Sequence, residues 1–268
     1  MSCHHSRPAW RSTLPNKNGE HPINFTFRRT EPDYFIPCGR CDGCRASQRR
    51  DWAIRIAHES QSWDRNCFVT LTYDDQHCPE SIQRSDCQNF IKRLKRASAR
   101  PIRYYLVGEY GDKTRRPHYH AILFNEDFLG GAYDINGELY GNKILDGIWR
   151  AGNCTIAPFT FATAMYTAGY VAKKTNDSDT FSLQSQRPPL GKAWVREHHD
   201  NIRRNEKIII EGKEMPIPAV YHNWLKGTET FNHIKENLQK KIQILNDKQL
   251  KAKRLNFKSK NTLRTHTI

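Results

Sequence analysis

No run of about 18 apolar residues occurs in the 268-residue chain, which excludes a membrane-spanning helix. The first residues, Met1-Ser2-Cys3-His4-His5, lack the apolar stretch of a secretory signal. The eight cysteines are therefore expected to be reduced thiols, or metal ligands where spacing allows, rather than a disulfide framework. No Gly-x4-Gly-Lys-Ser/Thr is present, so no Walker-type NTPase motor is expected, and no internal repeat is visible. Acid is in short supply: 28 Asp and Glu face 43 Lys and Arg, leaving a net charge of +15. Such an excess calls for a polyanionic partner, nucleic acid before an anionic membrane surface. A hydrophobic share of 37% and a mean hydropathy of −0.82 describe a polar chain, long enough for one large domain with appendages.

What is present centres on Arg116-Pro117-His118-Tyr119-His120-Ala121-Ile122-Leu123-Phe124. It follows a polar turn and becomes an apolar run too short for a helix, which predicts a strand. Alternation puts His118 and His120 on one face, roughly 6–7 Å apart along it, so both imidazoles can reach one ion. In a chain with 12 histidines this pair alone has little specificity. A second stretch, Tyr166-Thr167-Ala168-Gly169-Tyr170-Val171-Ala172-Lys173, adds it. On a helix, Tyr166, Tyr170 and Lys173 fall within a wedge of roughly 60°, with Phe161, Ala164, Met165, Ala168, Val171 and Ala172 on the other side. One face packs and the other presents two phenols and an ammonium. The bland alternative is a pair of amphipathic tyrosines on a half-buried helix.

Residues 1–37 read as an irregular arm with one short strand near Ile23-Asn24-Phe25-Thr26-Phe27. Pro37-Cys38-Gly39-Arg40-Cys41-Asp42-Gly43-Cys44 is a knuckle whose thiolates can converge on one ion. Cys3 or a nearby His would supply the fourth ligand of a structural zinc site formed with Cys38, Cys41 and Cys44. An iron–sulfur cluster is the rival, weakened because no Cys-Pro follows. A helix is predicted from Arg45 to about Trp63, with Trp52, Ala53, Ile56 and Ser60 on one stripe. Arg45, Arg49 and Arg50 crowd its first turns against the helix dipole, a candidate phosphate contact or else a solvated basic face.

Cys67–Tyr73 reads as a buried strand. Ser85 and Gln88 form a capping-box signature before a helix expected to bury Phe90, Ile91, Leu94 and Ala97. Arg103–Tyr110 should pair with the histidine strand as a hairpin, bringing Glu109 to His118, where a carboxylate could complete a metal shell. A helical turn at Leu145–Trp149, a strand at Cys154–Ala157, a loop at 176–179, a small hairpin at Lys207–Lys213 and a helix from about Phe231 come next. The last residues dissolve into a basic tail. This divides the chain into an arm with knuckle (1–45), a core (46–175), an extension packing on it (176–230) and a basic helical or disordered tail (231–268).

Pro117-His118-Tyr119-His120-Ala121-Ile122-Leu123-Phe124 followed by Tyr-x3-Tyr-x2-Lys resembles the HUH endonucleases, which initiate rolling-circle replication. Pro37–Arg45, Thr70-Leu71-Thr72-Tyr73, Gly108-Glu109-Tyr110-Gly111, Arg116-Pro117-His118 and Gly169–Lys174 together look like the replication initiators of gokushovirus-type microviruses. Phe181-Ser182-Leu183 with Arg187-Pro188-Pro189-Leu190-Gly191 is similar to a further block, with Pro189 where Gly is expected. The resemblance runs from about Cys3 to Leu225. It implies an α+β fold with a central antiparallel sheet (a ferredoxin/RRM-like HUH core) and packed helices. It implies Mg²⁺ or Mn²⁺ held by His118, His120 and Glu109, with Tyr166 and Tyr170 as nucleophiles and Lys173 assisting. A tyrosine would cut single-stranded origin DNA, leaving a 5′-phosphotyrosyl link. Host helicase and polymerase would be needed, in the cytoplasm of a bacterial host. Arg45, Arg49, Arg50 and Arg116 are the expected DNA contacts, and Tyr73, Tyr104 and Tyr105 are candidate stacking platforms, with sheet-core packing as the alternative. An HUH transposase or relaxase, and a non-catalytic zinc-containing DNA-binding protein, are the competing readings.

Overall fold

A computed structural model of the chain describes residues 3–26, 31–111, 113–172 and 180–240, with residues 252, 255 and 256. Contacts divide it into two compact units, Met1–Gln48 with Ile242–Ile268, and Arg49–Lys241.

In the first unit, β1 (Arg7–Arg11), β2 (Ile23–Asn24) and β3 (Tyr34–Ile36) form an antiparallel sheet in the order β2-β1-β3. The expected irregular arm is thus a small sheet. Its strands are too short for a visible period-2 signal, and β1 contains a proline and two arginines. Ala9 and Trp10 are the buried side chains of these strands. Helix α1 (Asp42–Ser60) begins in this unit and continues into the second.

The second unit is built on a seven-stranded sheet of antiparallel pairs. Its elements run β4 (Asn66–Tyr73), α2 (Arg84–Ala97), β5 (Arg103–Tyr110), β6 (Pro117–Phe124), β7 (Tyr133–Asp134), β8 (Tyr140–Gly141), α3 (Lys143–Trp149), β9 (Gly152–Pro158), α4 (Phe161–Ala172) and β10 (Phe181–Gln184). The strand order is β10-β5-β6-β4-β9-β8-β7, so the histidine strand β6 lies inside the sheet. Burial on both faces explains its unbroken apolar run Ala121–Phe124. One face packs Leu71, Leu106, Tyr119 and Leu123 against Phe90, Ile91 and Leu94 of α2 and Leu145 and Trp149 of α3. The other packs Phe68, Tyr105, Val107 and Ile122 against Ala53 and Ile56 of α1 and Ala164 and Ala168 of α4. Beyond α1 lie α5 (Lys192–Glu197), α6 (His199–Asn205), the hairpin β11 (Ile208–Ile210) and β12 (Lys213–Met215), α7 (Ala219–Trp224) and α8 (Glu229–Lys240). Ile54 and Ala57 of α1 share a core with Val195, Ile202, Ile208, Tyr221 and Ile234 from these elements.

Three local expectations fail. Gln83, not Ser85, is the N-cap of α2, and its side chain makes no cap hydrogen bond. The cap is unneeded because Ile82 N–H donates to the Tyr110 hydroxyl and Gln83 N–H to the Tyr119 hydroxyl. Ala97 is exposed in the last turn. Tyr73 and Tyr105 are core side chains rather than stacking platforms, and Tyr104 packs part-buried against the core. Lys173, the 176–179 loop and the terminal part of the basic tail lie outside the described residues.

Candidate active site

Three adjacent strands carry the site. The β5–β6 register sets Glu109 opposite His118 and Val107 opposite His120, while β4 sets Thr72 opposite His118 and Thr70 opposite His120. Paired residues share a face, so the carboxylate, both imidazoles and both threonines belong to the face that α1 and α4 cover. Glu109 Oε1 lies 2.9 Å from His118 Nε2 and 2.8 Å from His120 Nε2. Side-chain exposures of 10% for Glu109, 20% for His118 and 7% for His120 place the group at the edge of the core.

The outer nitrogens are also engaged. His120 Nδ1 is 3.0 Å from Thr70 Oγ1, and His118 Nδ1 is 3.3 Å from the Arg116 carbonyl. That carbonyl can only accept, so its bond needs hydrogen on Nδ1. Nε2 of His118 then faces the Glu109 oxygen with a lone pair, unless the ring is doubly protonated. A cation between them resolves the conflict, and this is the usual second-sphere arrangement of a metal-bound histidine. The spacing agrees: neighbouring ligands of an octahedral ion bound at about 2.1 Å are about 3.0 Å apart. Glu109, His118 and His120 therefore fit a divalent ion by donor type and by separation. Burial would raise the Glu109 carboxyl, but hydrogen bonds from His118 and His120 outweigh it and hold it down to about 2. Burial lowers His120, keeping it a neutral ligand, although Glu109 opposes the shift.

Helix α4 brings its tyrosines to the same place. The Tyr166 and Tyr170 rings lie 5.2 and 5.7 Å from the His120 ring, and 4.9 Å from each other. Tyr166 also meets Phe68 edge-on and remains 45% exposed. Burial raises the Tyr170 phenol, reinforced by hydrogen bonding to Tyr166 and by the charge of Glu109. The buried contacts are those of Ala164 and Ala168, on the side away from both phenols.

Of the expected DNA contacts, Arg49 donates through Nε to the Met165 carbonyl at 2.8 Å, and its guanidinium packs on Gly169, bracing α4. Arg50 pairs with Asp51 at 2.9 Å. Arg116 pairs with Asp75 at 2.7 Å and donates to the Tyr73 carbonyl at 2.9 Å. Arg45 lies in the first turns of α1, its N–H bonded to the Cys41 carbonyl. Thr70 was not among the residues singled out by sequence; only the cross-strand register could have revealed it. A second candidate metal cluster, Cys3, Cys38, Cys41 and Cys44, belongs to the first unit.

Comparison with known proteins agrees in kind. Residues 66–175 match the family model of the ORF2-type replication-associated proteins. The chain is 36% identical over 214 residues to replication-associated protein VP4 of Bdellovibrio phage phiMH2K, covering 72% of this chain and 68% of that protein. It is 32% identical over 196 residues to replication-associated protein ORF2 of Spiroplasma virus 4, covering 65% of this chain and 61% of the relative. It is 27% identical over 235 residues to replication-associated protein ORF4 of Chlamydia phage 1, covering 76% of this chain and 59% of the relative. No solved structure matches significantly. Sharing more than a third of its aligned residues with the VP4 protein across most of both chains, this chain belongs to the phage replication-associated protein family, as a replication initiator of the microvirus type.

Proposed function

We propose that this initiator nicks single-stranded origin DNA by tyrosine attack at an HUH-type site and later rejoins the displaced strand. The observation that carries the reading is that His120 touches both phenol rings while its Nε2 shares one Glu109 oxygen with His118. Further support comes from topology. Elements β4-α2-β5-β6-α3-β9 run βαββαβ, and their strands lie in the order β9-β4-β6-β5. That is the split-βαβ arrangement of ferredoxin-like folds. Residues 46–175 would form the nuclease core.

Glu109, His118 and His120 would hold Mg²⁺ or Mn²⁺, which would supply Lewis-acid polarisation of the scissile phosphate. The chain's own groups do the rest. Glu109 stays ionised and fixes both imidazoles, while Thr70 and the Arg116 carbonyl orient them from behind. A phenol on α4 loses its proton and its oxygen bonds to phosphorus. The P–O3′ bond breaks, the 3′ oxygen takes up a proton, and the 5′ phosphate remains on tyrosine. Lys173 follows Tyr170 by one helical turn in sequence and would steady phosphoryl oxygens. Because the phosphotyrosyl bond conserves the energy of the phosphodiester, rejoining needs no ATP. The second tyrosine cuts the regenerated origin and the freed 3′-hydroxyl displaces the first. Arg45, Arg49, Arg50 and Arg116 would contact DNA phosphates, unwinding and polymerisation would come from host helicase and polymerase, and the setting would be the cytoplasm of a bacterial host.

The test is incubation with origin single strand and Mn²⁺, followed by denaturing electrophoresis. A denaturation-resistant protein–DNA adduct is expected, lost when Tyr166 and Tyr170 both become Phe. Adducts persisting in the double variant would assign the nucleophile elsewhere. His118→Ala or His120→Ala should abolish the adduct and keep most DNA binding, since phosphate contacts dominate affinity. Absence of adduct with every origin-derived strand would favour a non-catalytic DNA-binding protein.

A further inference from the structure

The cysteine knuckle takes no part in the tyrosine chemistry, and its own chemistry is independent of the nicking reaction. Cys3, Cys38, Cys41 and Cys44 are free thiols whose sulfur atoms all lie within 4.8 Å of one another. Cys38 Sγ is 4.0 Å from Cys44 Sγ, and Cys41 Sγ is 3.9 Å from Cys3 Sγ. These are two opposite edges of a tetrahedron. An ion with four sulfurs at about 2.3 Å has edges of about 3.8 Å, longer than any disulfide and close to those seen. A multi-iron cluster would spread the thiolates over separate iron atoms, so this compactness favours a single ion.

The surrounding backbone is organised for thiolate charge. Cys38 N–H points at Cys3 Sγ at 3.2 Å, Cys41 N–H at Cys38 Sγ at 3.4 Å, and His4 N–H at Cys41 Sγ at 3.4 Å. Amides aimed at sulfur stabilise metal-bound thiolate as second-sphere donors. Gly39, at φ 75°, makes the turn that lets Cys38 and Cys41 face one point. Cys3 and Cys44 are buried.

We propose that Cys3, Cys38, Cys41 and Cys44 form a closed, mononuclear structural Zn²⁺ site. Four protein thiolates leave no position for water or substrate, which marks the site as structural. Cys3 just precedes β1, Cys38 and Cys41 come after β3, and Cys44 lies in the first turn of α1. The ion thus fastens both ends of the β2-β1-β3 sheet to the start of a helix. That sheet buries little more than Ala9 and Trp10 from its own strands, and cores of this size need a staple.

The test uses the full chain purified without added metal. Elemental analysis should find about one zinc per chain retained through dialysis, released as a mercurial reagent titrates the thiols. Replacement by Co²⁺ should produce thiolate-to-cobalt charge transfer and the intense visible bands of a tetrahedral site. Cys38→Ser with Cys41→Ser should lose this zinc, and His118→Ala should keep it. Failure of the wild-type chain to retain zinc even when it is supplied would overturn the proposal. So would iron with labile sulfide in its place, or full zinc retention by the double serine variant. If that variant does not fold, the wild-type cobalt spectrum decides: weak octahedral bands without charge transfer refute the site.

Discussion

Thr70→Val removes one hydroxyl and nothing else from the candidate site. Thr70 Oγ1 sits 3.0 Å from His120 Nδ1, and the His120 side chain is only 7% exposed, so water cannot simply replace it. Loss of a neutral hydrogen bond together with an unpaired buried nitrogen should cost about 1–3 kcal/mol of stability. The larger effect is on the metal, because outer-sphere partners of ligating histidines are typically worth about 10–100-fold in metal affinity. The assay is adduct yield against Mn²⁺ concentration on an origin oligonucleotide. Thr70→Val should shift the Mn²⁺ midpoint upward by about 10–100-fold, with yield recovering at saturating metal. Thr70→Ser, which keeps the hydroxyl, should remain near wild type, and single-strand binding in EDTA should be unchanged because it rests on phosphate contacts. A Thr70→Val midpoint equal to that of wild type would refute the assignment of Thr70 as the residue that orients His120.

The two tyrosines should differ: Tyr166 is 45% exposed while Tyr170 is half-buried, so Tyr166→Phe should lose most first cleavage of a free oligonucleotide. Tyr170→Phe should chiefly lose strand rejoining; wild-type first cleavage by Tyr166→Phe would contradict this order. Glu59 is buried and accepts hydrogen bonds from Arg103, Trp63 and Gly191 N–H. Glu59→Ala should cost about 3–5 kcal/mol, read from the urea midpoint, because it leaves a buried cation without its partner. His58 is fully buried against Tyr221 and Trp194, and burial, with a contribution from His198, lowers its pKa to about 3. The unfolded chain takes up that proton near pH 6.5, so below this pH the unfolded state binds more protons and stability falls. At pH 5 the loss from this group is about 2 kcal/mol. Urea titrations from pH 7 to pH 5 should show it, and an unchanged slope in His58→Gln would contradict the assignment.

The central strands were readable because β4, β5 and β6 are long and apolar, and because a hairpin between β5 and β6 dictates which residues oppose one another. That register alone leads from the sequence to Glu109 beside His118. The pairing of β4 with β6, which brings in Thr70, joins residues 50 apart, and no local pattern announces it. Arg49 illustrates a different limit. Its charge suggested phosphate, but a guanidinium also serves as a backbone donor, and here it caps the Met165 carbonyl 116 residues away. Tyr73 and Tyr105 look alike in sequence to any exposed aromatic. The interior of the sheet claims both, with the Tyr73 hydroxyl satisfied by Asp86 at 2.6 Å. The sheet of the first unit escaped notice because its short strands pair across loops, and its cysteines meet from positions 35 or more apart.

Covalent attack by a phenol of α4 is the step on which the nicking reaction turns. Protease digestion of the denatured wild-type adduct, with mass spectrometry of the nucleotide-bearing peptide, addresses it most directly. The modification should map to Tyr166 or Tyr170, joined to the 5′ phosphate of the cleaved strand. A nucleotide found on any other residue, or a link through the 3′ phosphate, would contradict it.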